Sequence, residues 1–200
     1  NNMEKETIQV EIPAGKKAAW VDGFLKLVDA EEEQKDNRPI TERVKTFEDA
    51  CQILGIDAGA IQEQWENAGL TMIDEIAYQK LRIITAALNE GWEPDFTNPD
   101  EYRYYPYLCL WTKEELEQKT DEWKDERNLQ LWRGGGDSRN AANCGLAAAN
   151  SDSAWSSAYA HISARLAHKT EELAIYSGKQ FTELWANYTT GKEVKSWRNS

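Results

Sequence analysis

Apolar and polar positions change their rhythm several times along the chain. Near the start they alternate. Ile8, Val10 and Ile12 occupy every second position before a turn at Pro13-Ala14-Gly15, and a second run covers Ala19 to Val28 with the hairpin-type pair Asp22-Gly23 inside it. This predicts a small N-terminal β-hairpin unit over residues 1–30. Residues 31–45, "EEEQKDNRPITERVK", are dense in charge and read as a linker. The period then becomes helical. Phe47, Ala50, Cys51 and Leu54 share one face behind Thr46, an N-cap with Asp49 three residues on, and Gly55 closes the element. A longer stripe of Ile73, Ile76, Ala77, Leu81, Ile84 and Leu88 predicts a helix capped by Thr71 and closed by Asn89 and Gly91.

Beyond Gly91 short strands are expected. "YYPYLCLW" (104–111) reads as a mostly buried strand and "LQLW" (129–132) as a second. Between them, "TKEELEQKTDEWKDERN" reads either as an exposed helix capped by Thr112 or as an inserted loop. "AHISARLA" (160–167) can form a strand. One last helix starts at Thr170 and carries Leu173, Ala174, Tyr176, Phe181, Leu184 and Trp185. The chain after Gly191, residues 192–200, reads as a frayed polar tail. The order of elements predicts an α+β domain over 46–191.

One segment departs from this texture. Gly134 to His161 holds eight Ala among 28 residues and no Lys, Glu or Gln, although the rest of the chain is rich in all three. A Gly/Ala/Ser loop or a close-packing surface would account for it. So would a binding surface, because short polar side chains supply adaptable hydrogen bonds and aromatic ones supply area at low entropic cost. On the latter reading Asp137, Ser138, Asn140, Asn143, Asn150, Asp152, Ser157, Tyr159 and His161 are the ligand contacts. Trp132, Leu146, Trp155 and Ile162 belong to the scaffold, with Arg165 in a buried ion pair.

The net charge of −12 disfavours a phosphate-backbone partner, so nucleic acid is not expected. Three separated cysteines give neither a CxxC zinc pair nor a disulfide framework. His161 and His168 are the two histidines, seven residues apart and without further ligands in pattern, so no metal or cofactor is expected. Cys144 or His161 as a hydrolytic nucleophile or base lacks an orienting motif. "RGGGDS" lacks the Lys-Ser/Thr of a phosphate loop. No apolar run approaches a membrane span, and no signal-peptide core follows Met3, which implies synthesis in the cytoplasm without membrane insertion.

"LWRGGG", the small-residue run and "ISARLAHKTEELAIYSGKQFTEL" together resemble the variable proteins of diversity-generating retroelements. There a Trp- and Gly-rich strand opens a variable region and a "GFR"-type strand closes it; here "SARL" holds that place, with no Phe before Arg165. The resemblance spans about residues 102–168 and implies a C-type-lectin-like domain with flanking helices. It also implies a non-enzymatic, receptor-recognising protein, with 134–161 as its diversified surface. Adenine mutagenesis of an AAC codon reaches every residue type in this segment except Trp155, which would then be an invariant scaffold position. "IPAGKKAAWVDG", "KTFEDACQILGI", "ALNEGWEPDF" and "GKQFTEL" are similar to a family from phages and mobile elements of gut Bacteroidales. That context implies a virion or cell-surface assembly, with attachment through the N-terminal region or self-association. The partner is then an unknown protein or surface ligand. The rival reading is a structural protein of such an element, in which the segment packs against other subunits.

Overall fold

The computed structural model describes residues 11–21, 24–29, 36–132, 144–154 and 163–199. The chain divides into two compact units, Asn1–Asn37 and Arg38–Ser200. In the first, β1 (Lys16–Val21) and β2 (Phe24–Asp29) pair antiparallel from Lys16 opposite Asp29 to Val21 opposite Phe24. Ile8 and Val10 lie outside the described residues. Gly15, at φ +82°, makes the turn that leads into β1.

The second unit is a mixture of helix and strand, as an α+β class requires. Its helices come first: α1 (Ile40–Arg43), α2 (Phe47–Ile53), α3 (Ala58–Asn67) and α4 (Ile73–Asn89). Then follow β3 (Arg103–Trp111), α5 (Lys113–Glu117), α6 (Asp121–Glu126), β4 (Gln130–Trp132) and β5 (Cys144–Ala154). The chain ends with α7 (Glu171–Gln180), α8 (Thr182–Thr190) and β6 (Lys195–Ser196). The strands form one antiparallel sheet in the order β3-β5-β4-β6.

The main core lies among the helices. Leu81, Ile84 and Leu88 of α4 pack with Phe47, Ala50 and Cys51 of α2, and with Leu173, Phe181 and Trp185 from α7, α8 and their junction. Burial of that many apolar side chains, each stabilising by about 1.5–3 kcal/mol, gives the unit its driving force. The α2 cap forms as its sequence predicts: Thr46 Oγ1 accepts from the Asp49 N–H, and Asp49 accepts in return from the Thr46 N–H. The α4 cap does not. Met72, not Thr71, stands at the N-cap and no side chain bonds there, leaving Asp74 and Glu75 to favour the helix dipole.

Four further boundaries differ from the sequence reading. Residues 40–44 are not linker: Ile40 and Val44 join the core, and the Tyr176 hydroxyl donates to the Val44 carbonyl at 2.6 Å. The segment 112–128 forms two helices, each started by a threonine cap, Thr112 and Thr120. The expected final helix breaks at Phe181 (φ −114°, ψ 32°), where Thr182 Oγ1 donates to the carbonyls of Gly178 and Lys179 that the break frees. The tail is not frayed: Val194 is buried, Lys195 and Ser196 pair with Leu131 and Gln130, and Trp197 packs beside Leu116 and Leu129.

Candidate ligand-binding surface

Ala, Gly, Ser, Asn and Asp are poor strand formers, yet Cys144–Ala154 is an eleven-residue strand. Pairing explains it. β5 bonds to β3 on one side and to β4 on the other, so the ladder holds a sequence whose own preference is weak. The register slips between the Tyr107–Asn150 and Leu108–Ala148 pairs, leaving Ala149 as an extra residue that bends the strand.

This strand redistributes the predicted contacts. Asn150 pairs with Tyr107 and Asp152 with Tyr105. Asp152 is exposed, and its Oδ1 accepts the Ser153 N–H at 2.8 Å. Asp137, Ser138, Asn140 and Asn143 precede β5, while Ser157, Tyr159 and His161 follow it; all seven lie outside the described residues, as do Trp155 and Ile162. Asn150 and Asp152 are the two predicted contacts that lie within β5. Trp132 and Leu146 do enter the sheet, opposite Cys144 and Gln130 respectively.

Arg165 is not the buried arginine. It is exposed on a 3-10 turn, Ala164–Leu166, where a strand is expected. Arg103 takes that role, fully buried at the start of β3. Its Nη1 donates to the Glu101 carbonyl and its Nη2 to the Asp95 carbonyl. Nη2 also lies 3.2 Å from Glu101 Oε1, and the guanidinium stacks over Phe96 at 4.3 Å. The Asp95 N–H donates to the same Glu101 carboxylate. Hydrogen bonds from the Thr97 hydroxyl and N–H, foremost among the causes, hold the Asp95 carboxyl below its usual range. The loop between α4 and β3 is thus fastened to the sheet by one cation.

Two exposed residues of β3, Tyr107 and Leu110, escape the sequence reading of a mostly buried strand. The signal is Pro106, which cannot donate to a ladder and so marks an edge strand; β3 is indeed the edge. His168 is fully buried beside this strand. Burial lowers its pKa to about 4, while the carbonyls of Tyr104 and Leu166 pull the other way without bonding either ring nitrogen. A neutral, enclosed imidazole is not placed for acid–base work. Cys51 is buried as well, and burial pushes its thiol pKa up. Among the described residues no group of three or more His, Cys, Asp or Glu is placed to hold a metal ion, and no helix is long and apolar enough to cross a membrane.

No family model, curated protein or solved structure matches the chain.

Proposed function

We propose that this is a non-enzymatic ligand-binding protein that recognises a receptor or other surface ligand. In this reading segment 134–161 is the recognition surface, diversified as in the retroelement variable proteins it resembles, and the second unit is a C-type-lectin-like domain. The observation that carries the reading is the exposed Asp152, set within this segment on a strand hydrogen-bonded there to β3, with the exposed Tyr107 on that neighbouring strand. Contact groups on a rigid element lose little entropy on binding, and Asp, Asn, Ser and Tyr are the residue types of adaptable recognition surfaces. The N-terminal hairpin suits attachment to a larger assembly. A two-stranded ribbon is marginal alone, and Phe24, Leu25 and Leu27 are exposed on β2.

The test is sequencing of this gene and its flanking DNA across a natural population. The reading requires variation at codons 134–161 confined to adenines of a nearby near-copy, with Trp132 and Trp155 fixed. Codons as constant there as those of α4, with no near-copy, would overturn it.

A further inference from the structure

Helices α3 and α4, the segment after α4 and the 3-10 turn enclose a groove of about 620 Å³, within the range of small-molecule sites. Its walls carry Ile61 and Trp65 from α3, Ile83 from α4 and Trp92 from the following segment. Two arginines also line it, Arg82 of α4 and Arg165 of the 3-10 turn. Their state sets them apart. Arg43 sits on Glu90, Arg103 on Glu101, Arg127 on Glu126 and Arg198 on Asp125. Neither Arg82 nor Arg165 has a carboxylate partner among the described residues. Arg82 donates to the neutral Gln79 amide oxygen and lies 5.8 Å from the Tyr78 ring, and the Arg165 guanidinium has no hydrogen-bond partner among the described residues. In a chain with 35 acidic residues against 23 basic ones, two cations left without carboxylates on one groove call for an anion from outside.

We infer that this groove binds a small aromatic anion, a carboxylate or sulfonate on a flat apolar body. The anionic group pairs with Arg82 and Arg165, and the body lies between Trp65 and Trp92 over Ile61 and Ile83. Planar guanidinium groups suit a two-oxygen acid group, and indole faces suit a flat ring. Glu93 lines the same groove and opposes an anion, so its charge gives the electrostatic argument a second sign to test. No described residue of segment 134–161 lines the groove, so this inference and the proposed function are tested independently.

The experiment is a fluorescence titration of the full chain with 1-anilinonaphthalene-8-sulfonate, with the neutral N-phenyl-1-naphthylamine in parallel. One saturable site for the anion is expected. The double variant Arg82→Gln/Arg165→Gln should weaken it about tenfold or more, while leaving the melting temperature and the neutral probe's binding unchanged. Glu93→Gln should tighten it. Ala86→Trp, which puts a bulky ring into the groove from an exposed position on α4, should abolish it. No saturable binding by the parent chain, equal affinity in the double variant, or undiminished binding by Ala86→Trp would each overturn the inference.

Discussion

Tyr104 and His168 exchange two backbone hydrogen bonds, of 3.1 and 2.8 Å, which tie the start of β3 to the segment leading into α7. The bridge carries the His168 ring into the interior, where burial lowers its pKa from 6.5 to about 4. The folded state therefore holds a neutral ring at pH values where the unfolded chain takes up a proton. Stability from this source is complete above about pH 6.5, falls as the pH drops, and is fully lost below about pH 4, a total on the order of 3 kcal/mol. Urea unfolding between about pH 7.5 and about pH 5 should show this decline before ordinary carboxylates titrate. His168→Leu should flatten it. A parent chain equally stable across that window would contradict a buried neutral histidine.

Arg103→Ala leaves the Glu101 carboxylate without its cation and frees the loop between α4 and β3. A loss of about 3–5 kcal/mol is expected, the scale for breaking one side of a buried pair. Arg103→Lys should restore only part of it, because an ammonium cannot bond the Asp95 and Glu101 carbonyls in a fork and stack on Phe96 at once. Chemical denaturation of both variants measures the difference.

A chain ending at Lys192 loses Val194, the β6 pairing and the Trp197 packing. Its melting temperature should fall by several degrees, in line with about 2–3 kcal/mol. Trp197→Ala alone should account for much of the drop, since it removes both the contact with Leu129 and the indole N–H bond to Asp125. An unchanged melting temperature would return residues 192–200 to the status of a loose end.

Tyr107→Ala and Asp152→Ala should each change unfolding free energy by less than about 0.5 kcal/mol, because both side chains are exposed. Leu81→Ala, fully buried in the helical core, should cost about 2–5 kcal/mol under the same denaturation protocol. Tyr159→Ala and His161→Ala should behave like the surface pair if they are recognition residues. A large loss of stability would assign them to the core.

Local chemistry made some of this fold readable and tertiary pairing hid the rest. The Thr46–Asp49 capping box, the α4 stripe and the Thr112 cap are written in side chains a few residues apart, and each forms. Helix α3 escapes notice because its apolar positions, Ile61 and Trp65, are half-buried and too few for a clear period; its one marker is the Asp57 cap. The β5 strand contradicts its own propensities and exists through neighbours that arrive 40 residues earlier and a dozen earlier. Leu166 and Ala167 are buried as a strand would bury them, but a 3-10 turn does so here. In the candidate surface Asp152 is exposed, and no local pattern separates it from the buried Ala154 two positions on.

Ala154 pairs with Arg103 and shares a buried cluster with Tyr105, Ala167 and Trp92. Most substitutions at position 154 enlarge the side chain against a closed wall, so they meet a folding filter whatever the molecule binds. On the proposed reading, a repertoire encoded across 134–161 would therefore be smaller than its codon count suggests. Its useful members would be those whose changes fall at exposed positions such as Asp152, with the sheet as the first selector and the ligand only as the second.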